Sequence, residues 1–426
     1  MSTSLAVNHP AWMFRKISDV TTKVGSGSTP RGGESVYQSS GVPLIRSMNV
    51  HSSGFSSNGL AFIDEVEAKK LDHVIVEPND VLLNITGASI GRVTTAPKSV
   101  AGARVNQHVC IIRPTKELVS TFLAYYLASP KQQLRVMNVQ VGATRQALTK
   151  AMILNWDVPV PAIEKQQTIV TEIEKQFSRL DEAVASLKRT KVNLKRYKAA
   201  VLKAAVEGKY GSSDAANWTR TNLGEALTAI EAGKSFKCEE RTPSDREIGV
   251  LKVSAVTWGT YNEKESKTCL DPDRIETRYF VRPGDFLFSR ANTIELIGAC
   301  VIAQKVTRKI MLSDKILRFR FSNEVLPQWI LYWLRSDVGR KEIQRLSTGN
   351  QESMRNIGQD RIRQIAFAIP CIDEQHQIVA EVERRLSVID DLETTVEANL
   401  TRVDLLRQST LQKAFSGKLL LNEECA

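Results

Sequence analysis

Cysteine is scarce and never clustered: Cys110, Cys238, Cys269, Cys300, Cys371 and Cys425 include no C-x-x-C pair. Neither a disulfide framework nor a zinc knuckle is expected, and a reducing, cytoplasmic setting fits best. No run of about 18 apolar residues occurs, and residues 1–10 do not place a basic stretch before an apolar one, so neither a membrane span nor secretion is expected. Nucleotide and cofactor signatures are missing as well. In "EAGKS" (residues 231–235), Thr228 stands where a phosphate-binding loop needs glycine. No G-x-G-x-x-G follows a strand pattern, no N-P-P or D-P-P precedes an aromatic residue as in amino-methyltransferases, and no H-E-x-x-H marks a metal site. The five histidines, His9, His51, His73, His108 and His376, are dispersed, and no positioned partner makes any of them a catalytic candidate. Carboxylate pairs such as Glu172 with Glu174 and Asp390 with Asp391 fall on helical stretches, where a solvated or salt-bridged face accounts for them. A catalytic, metal or cofactor site within the chain is therefore not expected.

What is present is an ordinary globular composition written twice. The 426 residues, 42% hydrophobic and 25% charged, are enough for two to four domains. The net charge of +11 suits a polyanionic partner without identifying one. Residues 163–209 align without a gap onto 372–418, with 12 identities in 47 positions. "IEKQQTIVTEIEKQFSRLDE" in the first copy reads "IDEQHQIVAEVERRLSVIDD" in the second, and "LKAAVEGK" answers "LQKAFSGK". The likeness continues upstream at shifts of 205 to 209: "EPNDVLLN" matches "VRPGDFLF", "FLAYYL" matches "WILYWL", and Trp12 falls opposite Trp218. The chain is a tandem duplication, each unit a head of about 155 residues followed by a helical segment.

In the heads, apolar runs at 81–85 and 109–112, bounded by Gly, Pro and Asn, predict strands, while 121–127 and 329–334 predict helices. Tyr125, Tyr126, Trp329 and Trp333 recur at helical spacing and are read as core. The segments after the heads carry a heptad seam. In the first it is Ile173, Phe177, Leu180, Val184, Leu187 and Leu194, continued by Val201; in the second it is Val382, Leu386, Ile389, Val396, Leu400 and Val403. Each predicted helix begins just after Pro161 or Pro370 and stops near Gly208 or Gly417, a rod of roughly 65–70 Å if helical throughout. Residues 158–210 carry a net +5 and residues 367–426 a net −5. Complementary charge and matched apolar stripes predict that the two rods pair within one chain, antiparallel. The fold class that follows is α+β: heads at 1–157 and 211–366, helices at 158–210 and 367–426, and a pseudo-two-fold axis relating the copies.

Arg or Lys can read guanine, Asn or Gln can read adenine, and flanking basic residues hold phosphates, so polar residues on turns are where recognition of a nucleic acid would reside. In the first head these are Arg31, Arg46, Thr86, Ser89, Arg92, Arg104, Arg145 and Gln146. In the second they are Lys252, Ser289, Arg290, Asn292, Thr293, Lys315, Asn350, Gln351 and Arg355. A solvated charge or a turn cap is the alternative for each one singly. The seam residues likewise divide between plain helix pairing and partner docking.

The arrangement of head, "PxPxxEKQQxIVxEIE" helix, second head and "IPxxDEQHQIVAEVE" helix resembles the DNA-specificity subunit of type I restriction-modification systems. The residues that carry the resemblance are Pro159, Pro161, Glu164, Gln166, Gln167, Ile169 and Val170, with Pro370, Asp373, Gln375, His376, Gln377, Ile378 and Val379 in the second copy. "NDVLLNITGASIGR" and "NQHVCIIRP" also look like that family's target-recognition domains. The second head departs: "RANTIELIG" is longer by two residues, and Ser313-Asp314 replaces Asn106-Gln107. The resemblance implies that each head recognises one half of a bipartite double-stranded DNA target. It implies too that the helices set the half-site spacing and dock two copies of a methylation subunit. S-adenosylmethionine, and ATP with Mg, would then belong to that subunit and to an ATP-dependent restriction/translocase subunit, with no membrane partner. The competing class is a noncatalytic duplicated scaffold that binds protein or RNA.

Overall fold

The computed structural model describes residues 12–138 and 147–419. The chain divides into two units, one built from residues up to Leu187 together with those from Ala398 onward, the other from Lys188–Glu397. The division cuts both long helices, so each unit is a head with part of each helix packed on it.

The first head centres on a four-stranded antiparallel sheet in the order Thr21–Ser26, Val109–Pro114, Val81–Asn84, Val93–Thr95. Its two middle strands are apolar at nearly every position because both faces are covered, and their side chains divide with period two. Val81, Leu83, Cys110 and Ile112 pack with Phe122 and Leu123 of the helix Ser120–Ala128 and with Ile169, Ile173, Leu411 and Ala414 of the long helices. Leu82, Val109 and Ile111 pack the other way, against Leu44, Ile45 and Ile63 of a small sheet made by Ala61–Ile63, Val42–Ile45 and Arg104–Val105.

The second head repeats this plan in the order Leu227–Ala232, Ile316–Phe321, Phe286–Ser289, Cys300–Ile302. Its sheet is aromatic where the first is aliphatic: Phe319 lies 5.5 Å from Phe286 and 5.0 Å from Phe288, ring to ring. The small sheet here has four strands, Cys238–Glu239, Ser266–Cys269, Gly249–Leu251 and Ile310–Met311. A further three-stranded sheet joins Ala291–Asn292, Met354–Asn356 and Thr348–Gln351. The aromatic residues read as core are core: Trp329 is fully buried, Tyr126 and Trp333 are buried, and Tyr125 packs edge-on against Phe177 at 5.6 Å.

Matched octapeptides turn out to share one device. Asp80 and Asp285, almost fully buried, each cap their own turn, accepting from the backbone N–H of Glu77 (2.7 Å) and Arg282 (2.8 Å). Each also holds a strand arginine, Arg113 Nε at 2.7 Å and Arg318 Nη1 at 2.9 Å. A carboxylate this buried needs such a partner. The glycine of "EAGKS" has a packing role: a Cβ on Gly233 would stand 2.1 Å from the carbonyl oxygen of Leu312, and one on its counterpart Gly27 would stand 1.8 Å from that of Val105.

The long helices run Ile163–Val206 and Ile372–Phe415, 44 residues each, and end at Gly208 and Gly417, both with φ +76°. They pack antiparallel. In the first unit Gln176 meets Thr410 (3.0 Å) and Asp181 pairs with Arg407. In the second, Lys191 pairs with Glu397 (3.0 Å) and Lys198 with Asp390 (2.6 Å). Under the 209-residue shift Asp181 becomes Asp390 and Lys198 becomes Arg407, so each unit keeps one member of the same ion pair from each helix. Among the seam residues Ile173, Leu194, Val382, Ile389, Val396 and Val403 are buried, and Phe177, Leu180, Val184, Leu187, Leu386 and Leu400 half-buried. Among the described residues no helix is long and apolar enough to cross a membrane, and no group of three or more His, Cys, Asp and Glu is arranged to hold a metal ion.

Candidate nucleic-acid interface

Each head is fastened to the start of its helix by one buried glutamine. Gln166 Oε1 accepts from the backbone N–H of Val119 (2.8 Å), and its amide donates to the carbonyls of Glu117 (2.9 Å) and Pro161 (2.8 Å). Gln375 repeats the set with Leu326 N–H (2.8 Å), Glu324 O (3.0 Å) and Pro370 O (3.0 Å). An amide has one acceptor and two donor hydrogens, and here it joins three otherwise solitary backbone groups. The repeated "Q" in the helix motif marked these positions but did not say what they touch.

The first head's candidate loop follows the strand Val81–Asn84. Buried Asn84 donates to Ser47 O (2.9 Å) and Ser89 Oγ (3.1 Å), which fixes the loop against the neighbouring turn. Thr86 is hydrogen-bonded to His108 Nδ1, a residue the sequence offered no partner for. Arg92 and Arg31 are exposed, and their guanidinium groups make no hydrogen bond or ion pair among the described residues. Arg46 is engaged: it donates to Gly59 O (2.7 Å), pairs with Glu34 (3.3 Å) and lies over the Tyr37 ring. Arg145 and Gln146 lie outside the described residues.

Two candidates need correction as surface groups. Arg104 is 9% exposed and its guanidinium is taken up by Ala68 O (3.1 Å), Gly102 O and Asp72 (2.6 Å), so it braces the small sheet. Ser289 is fully buried and donates to Ala291 O (3.2 Å), shaping the turn. Both follow strand patterns whose inward face the sequence did not separate from the outward one.

In the second head the structure brings two separate candidate groups together. Ala291–Asn292 pairs with Met354–Asn356, which forms a hairpin with Thr348–Gln351, so Asn292 shares a sheet with Gln351 and Arg355, and Arg290 and Thr293 flank its strand. Asn350 lies on the same strand. Arg290 Nε is 3.4 Å from Asn356 Oδ1, and Arg290 N–H donates to Lys315 O at 3.0 Å. Lys315 is exposed with no ion pair among the described residues, while Lys252 lies 3.8 Å from Glu240. Arg355 is a strut: its guanidinium donates to Gly349 O (2.7 Å), Ser347 O (3.0 Å) and Ser347 Oγ (3.2 Å). Missed from sequence was the hairpin tip, where Glu352 and Ser353 are exposed and Met354 is 73% exposed.

Comparisons with known proteins agree on one relationship. Residues 10–196 match the family described as Type I restriction modification DNA specificity domain. The Type I restriction enzyme EcoKI specificity subunit of Escherichia coli K12 is 26% identical over 96% of this chain and 89% of its own length. A chain from a type I R-M system, solved for its complex assembly and conformational transition, aligns with a TM-score of 0.70 at 17% identity, over 96% of this chain and 98% of that one. The HsdS subunit from Thermoanaerobacter tengcongensis aligns with a TM-score of 0.54 at 18% identity, over 96% and 98%. The structural matches establish the fold, and the sequence matches extend along nearly the whole duplicated chain. Residues 10–196 thus match the type I restriction-modification DNA-specificity domain, and the chain as a whole is similar to type I restriction enzyme specificity subunits.

Proposed function

We propose that the two heads each read one half of a split duplex DNA target and that the paired helices set the spacing and dock two copies of a methylation subunit. The chain is itself noncatalytic and acts in the cytoplasm. S-adenosylmethionine is borne by the methylation subunits, and ATP with Mg by a restriction/translocase subunit. The observation that carries this reading is the pairing of a repeated joint, Gln166 and Gln375, with unlike loops: the stretch 289–298 is two residues longer than its counterpart 84–91, and Ser313-Asp314 stands in place of Asn106-Gln107. Identical mounting with different reading edges is what an asymmetric, two-part target requires.

The test is to express the chain with the methylation subunit of its own system and sequence the methylated motif in genomic DNA. A gapped, asymmetric motif is expected, with Arg92→Ala weakening one half and Arg290→Ala the other. Equal loss at both halves contradicts the assignment of heads. Binding indifferent to duplex sequence would instead favour a scaffold for protein or RNA.

A further inference from the structure

We infer that the hairpin 348–356 is the base-reading element of the second head and that Gln351 and Met354 at its tip read one A·T base pair in the major groove. This rests on the proposed reading of duplex DNA by the heads.

Three observations lead there. Gln351 and Met354 are register partners, so their side chains project from the same face of the ribbon, next to each other. Met354 is 73% exposed and Gln351 is exposed, its side-chain amide making no hydrogen bond among the described residues, so neither side chain contributes to the core. The ribbon beneath them is braced: Arg355 ties it to Ser347 and Gly349, Ile294 N–H donates to Glu352 O at 2.9 Å, and Ile357 N–H donates to Arg290 O at 2.9 Å. Gly349, at φ +134°, closes the bulge where a Cβ would stand 2.6 Å from Met354 O.

A two-stranded ribbon fits the major groove. There adenine offers the N7 acceptor and the N6 donor that a glutamine amide matches with two hydrogen bonds, and its partner thymine offers a methyl group. An amide beside a thioether methyl is complementary to that pair. A G·C pair has no methyl to meet Met354 and sets the O6 acceptor where the glutamine needs a donor.

The experiment uses the full chain co-expressed with its methylation subunit and reads methylated motifs genome-wide for Gln351→Ala and Met354→Ala. Gln351→Ala is expected to raise methylation of sites altered at one A·T position by about ten-fold or more relative to the unsubstituted chain. Met354→Ala is expected to relax the same position a few-fold. Both should leave the other half-site unchanged, which also reports that the chain is folded. An unchanged motif, relaxation at a G·C position, or equal loss of both halves would overturn the inference. If the unsubstituted chain specifies no split motif at all, the proposed function fails instead, and the two failures are thereby distinguishable.

Discussion

Removing the amide of Gln375 should loosen the second head far more than the loss of one polar side chain usually does. The group is 1% exposed, and Gln375→Ala deprives Leu326 N–H, Glu324 O and Pro370 O of partners at 2.8, 3.0 and 3.0 Å. A buried N–H left unpaired costs about 1–3 kcal/mol, and carbonyls somewhat less. Water entering the vacated space offsets part of this, leaving about 3 kcal/mol. For a unit the size of Lys188–Glu397, each kcal/mol is roughly 2–4 °C in Tm, so a fall of about 6–12 °C is expected in the transition of that unit. Scanning calorimetry measures the shift. Hydrogen exchange should localise it to the turn before the helix Pro327–Arg335 and the first turn of Ile372–Phe415. Gln166→Ala should produce the equivalent loss in the other unit. A shift below about 1 °C, or exchange changes spread over both units, would refute the idea that this amide is the joint.

Gly233→Ala should destabilise the second head by roughly 3 kcal/mol or more, measured by urea unfolding, because the added methyl meets the backbone of Leu312 at 2.1 Å, where nothing flexible can yield. The Lys198–Asp390 pair is exposed, so a double-mutant cycle should give a coupling no larger than about 1 kcal/mol, shrinking at high salt. Cys238 and Cys269 are register partners with their side chains on the same small cluster, so glutathione disulfide should join them, detected as a cross-linked peptide. Burial, and after it the facing Cys269, push the Cys238 thiol up. The thiolate is then the minor form at neutral pH, and the cross-linking rate should climb as pH rises toward the ordinary thiol range and beyond. A failure to cross-link at any pH would contradict the register.

Much of the architecture was legible because it was written twice. The seam from Ile173 to Val403 and the stops at Gly208 and Gly417 are periodic, local signals, and the helices follow them closely. The candidate site was harder. Arg104 looks like a surface charge in sequence, but its burial depends on Asp72 and on backbone carbonyls of Ala68 and Gly102, a tertiary arrangement that spacing does not encode. Arg290 and Arg355 are 65 positions apart in the chain, and only the pairing of Ala291 and Asn292 with Arg355 and Asn356 brings Arg290 to the edge of that sheet. Gln166 stood out as repeated, but a repeat says that a residue matters without saying to what it is bonded.

The glutamine joint hydrogen-bonds to main-chain atoms of the heads, at Val119 and Glu117 in one copy and Leu326 and Glu324 in the other. None of these hydrogen bonds depends on which side chains a head carries there. A gene rearrangement that exchanged one head for another following the same backbone course would thus inherit a working mount, and new targets could arise by wholesale replacement rather than by slow repair of a mismatched socket.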